Sequence, residues 1–154
     1  MIADETAALK LALRTANRMH VGLYRITRGR FANRVAGLPI LLITTRGRKT
    51  GKLHTNPVVY LRDGDDFLVS ASSGGMDWHP GWYFNLKSEP EATIQVGGQR
   101  RDVTATILAG AERDQVYARF KAASGNFVKY EKNTSRVIPV IRLTPVNSVS
   151  EQEA

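Results

Sequence analysis

From residue 38 onward the chain is divided into short β-branched and apolar runs bounded by turn residues. No other feature of the sequence constrains the fold as much. Leu38 to Thr45 reads as a strand ending at Arg46-Gly47, and Asn56 to Arg62 as a second. Asp63-Gly64-Asp65-Asp66 is a turn and Phe67 to Ala71 a third strand, which makes a hairpin. Ser72-Ser73-Gly74-Gly75 is a loop. Ala92 to Val96, the Gly97-Gly98 turn and Arg101 to Leu108 make another hairpin, and Val137 to Leu143 is a last strand. Helices are predicted over 4–20, where Leu9, Ala12, Leu13, Ala16 and Met19 recur at helical spacing, and over 80–87 and 112–123. The second of these opens at Pro80, with Pro90 beyond its end. About six strands joined by hairpin-scale loops, with three helices, predict a mainly β, α+β domain: an antiparallel barrel or strongly curled sheet with the helices packed outside.

The 154 residues suit one domain, read here as a basic helix and loop over 1–35, the β body over 36–145 and a polar tail over 146–154. The absence of cysteine excludes a disulfide framework, a zinc–thiolate site, an iron–sulfur cluster and a cysteine nucleophile. No run reaches the roughly 18 apolar residues of a membrane span. Lys10 and Arg14 interrupt the N-terminal apolar stretch where a signal peptide would need continuity, so a cytoplasmic protein is expected. The net charge of +8 is unevenly placed. Residues 1–62 carry 12 Lys/Arg against Asp4 and Glu5, while 63–154 carry 10 against 12 acidic residues. Lys10, Arg14 and Arg18 share a helix face, and Arg25, Arg28, Arg30 and Arg34 continue the trend through an expected loop. Such asymmetry points to a polyanionic partner: nucleic acid, anionic lipid or a phosphorylated cofactor. A basic amphipathic helix can lie on an anionic membrane, although a helix covering the core with its charged face solvated is the commoner arrangement. Aromatic residues are not interleaved with the basic run, which argues against a nucleic-acid partner.

Two clusters carry chemistry. The first is Thr44-Thr45-Arg46-Gly47-Arg48-Lys49-Thr50-Gly51-Lys52. It is not a Walker A loop, because its glycines are four apart and Leu53 follows Lys52. Turn amides, guanidinium and ammonium groups together nonetheless suit a phosphate or carboxylate. The second is Ser72-Ser73-Gly74-Gly75 with Pro80-Gly81-Trp82-Tyr83-Phe84-Asn85, where backbone amides, flat rings and an amide side chain could meet a flat ligand. His20, His54 and His79 are too scattered for a metal site and are expected on the surface or in caps; no metal is expected. No Gly-x-Ser-x-Gly elbow supports a serine hydrolase.

Taken in order, Thr-Thr-x-Gly-Arg-Lys-Thr-Gly at 44–51, Asn56-Pro57, Ala71-Ser72-x-Gly-Gly, Pro80-x-Trp-Tyr-x-Asn-Leu86 and Ile138-Pro139 resemble the deazaflavin-dependent nitroreductase family of actinobacteria, over about residues 38–143. The resemblance implies a split β-barrel that binds coenzyme F420, a 5-deazaflavin with a phosphate and an oligoglutamate tail, and it accounts for the basic excess. It implies that Arg48, Lys49 and Thr50 hold the phosphate, with His54 near the tail. Thr55, Asn56, Pro57, Val58 and Val59 would line the ring. Ser70, Ala71, Ser72 and Ser73, with Gly81, Trp82, Tyr83, Phe84 and Asn85, would complete the pocket. The implied activity is hydride transfer from reduced F420 (F420H2) to a small electron-poor acceptor, with Ser72 and Tyr130 as candidates to donate or relay a proton or to orient the acceptor. Relatives that reduce nitroimidazoles place several tyrosines on the substrate face. Here those positions read Val59, Ser124, Phe127 and Tyr130, which favours enones, lactones or quinones over nitro compounds.

Three alternatives remain open at the level of sequence: a flavin mononucleotide (FMN) oxidoreductase on a related split barrel, a non-catalytic F420 carrier, and a basic module on residues 1–34 that contacts a nucleic acid or, peripherally, an anionic membrane surface. A monomer is favoured over a dimer.

Overall fold

A computed structural model describes residues 2–146. The expected polar tail, apart from Val146, lies outside the described residues. The chain runs α1 (Ile2–Thr27), β1 (Arg34–Val35), β2 (Leu38–Arg46), β3 (Leu53–Asp63), β4 (Asp66–Ser70), a single tight turn at Ser73–Gly75, α2 (Gly81–Ser88), β5 (Glu91–Val96), β6 (Gln99–Ile107), α3 (Gly110–Ala123), α4 (Asn126–Asn133) and β7 (Val140–Pro145). The strands pair in the order β1-β2-β3-β4-β7-β6-β5, and β5 returns to pair with β2. All pairings are antiparallel. Strands β2 to β7 thus close into the predicted barrel, with β1 a short flap on β2.

Side chains alternate across a strand, so a barrel strand has an inner and an outer face. On β2 and β4 both faces are covered. Leu41, Ile43, Phe67 and Val69 fill the interior with Ile94, Val103, Ile141 and Leu143. Outside, Leu68 packs under α3 and α4 with Val116, Tyr117, Phe120 and Phe127. Ile40 and Leu42 pack under α1 with Val21 and Tyr24. This two-sided burial is why 38–45 reads as a continuous apolar run rather than an alternating one. Trp82 and Leu86 of α2 project into one end of the barrel and join the interior core.

The described residues form four α-helices rather than three. Helix α4 escapes sequence detection because only one of its residues, Phe127, is fully buried, and Lys129, Glu131 and Lys132 break any apolar stripe. Helix α1 extends to Thr27, so Arg25 is helical rather than in a loop. Its predicted core face is also corrected: Leu9, Leu13 and Met19 are 40, 39 and 73% exposed. The helix docks instead by its last two turns. The Tyr24 hydroxyl accepts from the Gly97 amide at 2.8 Å and donates to Ile40 O at 3.3 Å. Gly29, with φ +75°, allows the backbone after α1 to approach so closely that a Cβ there would sit 2.8 Å from Gly97 Cα. Nearer the start of α1, the Lys10 ammonium lies over the Trp78 ring at 4.7 Å.

Candidate functional site

The turn between β2 and β3 is built by its own polar groups. Gly47 N–H donates to Lys52 O (2.7 Å), Gly51 N–H to Gly47 O (2.8 Å), and Arg46 reaches Gly51 O (2.9 Å). The Thr50 hydroxyl accepts from the Lys52 amide at 3.2 Å. A methyl group at Gly47 would lie 2.9 Å from both His54 Nε2 and Thr50 Oγ1, so glycine keeps this concavity open. The amides of Lys49 and Thr50 meet no acceptor among the described residues. Arg48, Lys49 and Lys52 form no ion pair among them either. Open amides beside unpaired cations are the donor set an anion needs.

This turn is tied to the aromatic helix. The Arg48 amide donates to Asn85 Oδ1 (3.2 Å), and Asn85 Nδ2 donates to the buried Thr45 hydroxyl (3.0 Å). The Arg48 guanidinium stands 5.0 Å over the Phe84 ring. His79 packs against Tyr83 and Phe84, with ring centroids 4.9 and 5.7 Å apart. The motifs at 44–51 and 80–86 therefore form one structure, with Asn85 as the joint.

Strand β3 leads from the turn toward the serine loop. At about 3.3 Å per residue, His54 to Val59 spans roughly 17 Å, the scale of an elongated ligand. Thr55 is already engaged, by Thr44 Oγ1 at 2.7 Å and Arg25 at 2.9 Å. Beyond β4, the Ser70 and Ser72 hydroxyls lie 2.7 Å apart, both nearly buried. Ser73, Gly74 and Gly75 all adopt positive φ, and a Cβ on Gly75 would meet Tyr130 Cα at 3.0 Å. The Gly-Gly pair thus lets α4 bring Tyr130 against the serine loop.

Several predicted site residues are placed differently from the sequence expectation. Val58, Ala71 and Trp82 turn their side chains into the barrel core, leaving only backbone for a ligand. Phe127, predicted on the substrate face, is 1% exposed and supports Tyr130 from behind, ring to ring at 5.2 Å. Ser124 closes the corner between α3 and α4, where its hydroxyl accepts from the Asn126 amide. Val59 and Tyr130 both border the same outer cluster and remain partly exposed. Arg136 was not anticipated. Its guanidinium donates to Met76 O (2.9 Å), Ala71 O (3.2 Å) and Ser72 O (2.7 Å), clamping the serine loop. Nothing in the sequence near Ile138-Pro139 marks it, because its partners are backbone carbonyls some sixty residues away. Nor is His79 a surface residue; it is partly buried, with Nδ1 2.9 Å from Arg136. Among the described residues no group of three or more His, Cys, Asp or Glu could hold a metal ion.

A closed antiparallel barrel with a basic glycine turn, an aromatic helix and a hydroxyl-lined loop defines a split-barrel protein. Residues 16–145 match the family model of the F420H(2)-dependent quinone reductases. An F420H(2)-dependent quinone reductase of Mycobacterium tuberculosis is 41% identical over 133 residues, covering 82% of this chain and 88% of the relative. A solved structure of an F420-H2 dependent reductase superposes with a TM-score of 0.62 at 36% identity, covering 68% of this chain and 93% of the other. A second, described as a domain-swapped dimer, gives 0.64 at 30% identity, covering 91% and 98%. The chain belongs to the F420H(2)-dependent quinone reductase family, a family of oxidoreductases whose cofactor is reduced coenzyme F420.

Proposed function

We propose that this protein transfers a hydride from reduced F420 to a quinone or a similarly electron-poor small acceptor. The observation that carries the reading is the Gly47–Lys52 turn: open amides and unpaired cations, held by Asn85 against the aromatic helix at one end of a strand-long path to Ser72 and Tyr130. Arg48, Lys49 and Thr50 bind the phosphate, and the exposed His54 stands beside them. Thr55, Asn56, Pro57 and Val59 line the ring with the backbone of Val58.

When bound, reduced F420 supplies the hydride; the protein supplies binding, orientation and a proton. Reduction of a quinone by hydride leaves an oxyanion that must be protonated. In this reading Ser72 relays that proton, supported by the link of its hydroxyl to Ser70 and the hold of Arg136 on its backbone. Tyr130, held by Gly75 and Phe127, orients the acceptor or donates in its place. The apolar Val59, bordering the same outer cluster as Tyr130, favours a flat acceptor such as a quinone, enone or lactone.

Two finer points belong to the same proposal. The basic segment through residue 34 contacts an anionic membrane surface peripherally. On it Leu11, Met19, Ile26 and Phe31 are 64, 73, 83 and 66% exposed among cationic neighbours. No described helix is long and apolar enough to cross a membrane. A monomer is the working unit of this reading, and light scattering checks it against the domain-swapped dimer described for a similar structure.

The test is a fluorescence titration with F420 and, separately, FMN at low and moderate salt, followed by turnover of reduced F420 with a quinone panel. Selective F420 binding that weakens with salt, with quinone-dependent oxidation, is expected. Selective FMN binding would overturn the reading, and tight F420 binding without turnover would leave a carrier. Deleting residues 1–20 should weaken vesicle binding more than F420 affinity; equal losses would make the helix part of the fold alone.

A further inference from the structure

Arg136, after α4, and His79, just before the aromatic helix, share a polar contact that the proposed mechanism does not use. Arg136 NH1 lies 2.9 Å from His79 Nδ1. A guanidinium has only donors. Nδ1 therefore accepts, and the neutral imidazole carries its proton on Nε2. Protonating the ring would place an N–H against the Arg136 N–H and break the bond. The surroundings agree. Desolvation, then Arg136, then Lys87 hold the His79 pKa below its ordinary value. The charged groups facing this pair are Lys87, whose ammonium lies over Tyr83 at 5.6 Å, Arg48 over Phe84 at 5.0 Å, and Asp77, which acts on Arg136. Tyr83 and Phe84 flank the ring itself. No described residue takes the Nε2 proton.

We propose that Arg136 is a positioning residue that fixes His79 as the neutral, Nε2-protonated tautomer, so that His79 offers a directed hydrogen-bond donor to an oxygen of bound F420 beside Arg48. The assignment rests on the cofactor reading above, and it adds a contact at the cationic end of the site. The neighbouring cations attract the phosphate without regard to direction. A neutral N–H held by a guanidinium instead specifies orientation, because the same guanidinium also sets the carbonyls of Ala71 and Ser72. Arg136 thereby couples the register of the serine loop to that of the donor.

Nitrogen-15 correlation spectra of the histidine rings in the full chain test the first half without any cofactor. The expected result is one ring protonated on Nε2 that stays neutral to lower pH than an ordinary histidine and is lost in H79N. In R136K that ring should gain protonation at higher pH. A ring protonated on Nδ1, or one titrating as an ordinary histidine, would overturn the proposal. The second half is read by F420 affinity. His79→Asn keeps an acceptor for Arg136 but has no group at the Nε2 position, and should weaken binding about five- to tenfold. His79→Gln restores a donor near Nε2 and should recover most of that loss. Equal affinity of all three proteins would overturn the donor role. Failure of the unmutated protein to bind F420 would instead overturn the cofactor reading and this contact with it, while the tautomer measurement would still report on Arg136.

Discussion

Asn85 offers the sharpest separation of fold from function. It is 8% exposed and makes two hydrogen bonds, accepting from the Arg48 amide and donating to a Thr45 hydroxyl that is 1% exposed. Asn85→Ala removes both and leaves the threonine hydroxyl without its donor. At about 0.5–1.5 kcal/mol per bond the loss is about 1–3 kcal/mol. At roughly 2–4 °C per kcal/mol for a domain of this size, Tm should fall by about 2–12 °C. Asn85→Asp behaves differently. A carboxylate accepts from the Arg48 amide, and the Thr45 hydroxyl can rotate to donate to its other oxygen. Tm should stay within about 3 °C of the parent, a shift of roughly 1 kcal/mol. The new charge, however, sits next to the turn proposed to hold the phosphate. Two unit charges about 6–8 Å apart at an effective dielectric near 20 repel by about 2–3 kcal/mol. F420 affinity should therefore drop about thirtyfold to 150-fold. Thermal melts and F420 fluorescence titrations on the two variants are the assay. If Asn85→Asp bound F420 like the parent, the anion would not be at this turn. If it melted like Asn85→Ala, the hydrogen-bond geometry would be wrong.

Lys49→Ala should weaken F420 binding by about 1–3 kcal/mol through lost charge-assisted contacts and leave Tm within 2 °C, measured by the same titration and melts. Tyr24→Phe removes the link between α1 and the β5–β6 turn, leaving the Gly97 amide without its acceptor. It should lower unfolding free energy by about 1–3 kcal/mol in urea, and no change would mean that α1 is not held there. Tyr117 donates to Phe127 O at 2.7 Å, and burial, with Glu131 adding to it, pushes its pKa up to about 12. The fold thus holds the Tyr117 proton more tightly than the unfolded chain, where the pKa is about 10. Its contribution is complete below pH 10 and is lost as pH rises toward 12. The urea-midpoint advantage over Tyr117→Phe should accordingly shrink from pH 9 to pH 11.5; a constant gap would refute this.

The barrel was legible because its strands are written as local patterns. The β3–β4 and β5–β6 hairpins each carry their own turn residues, Asp-Gly and Gly-Gly, and the register follows. Strand β3 starts at Leu53 rather than Asn56 because Leu53, His54 and Thr55 are exposed or half-buried, so no apolar alternation marks its first turn of ladder. The turn at 47–52 stands out in the sequence because its glycines and cations are contiguous. What could not be read is what distance in sequence hides. Asn85 meets Arg48, and Arg136 meets Ala71 and Ser72, through contacts that only the closed barrel creates. Helix α1 misled for the opposite reason. Its periodicity is genuine, but the barrel offers only enough surface for Val21 and Tyr24.

The barrel closes through only three residue pairs, Leu42 with Gln95, Ile43 with Ile94 and Thr44 with Thr93, whereas β2 and β3 share seven. The hairpins on either side need only neighbouring sequence and can form early. The seam joins opposite halves of the chain and must wait for them, at the entropic cost of a long loop. Folding should therefore end with a zippering step in which Ile43 and Ile94 leave water together. In a crowded solution, a second chain that supplies β5 before the first chain's own strand arrives would complete the same ring, so the rate of this last step sets how often two copies of the chain become interlocked.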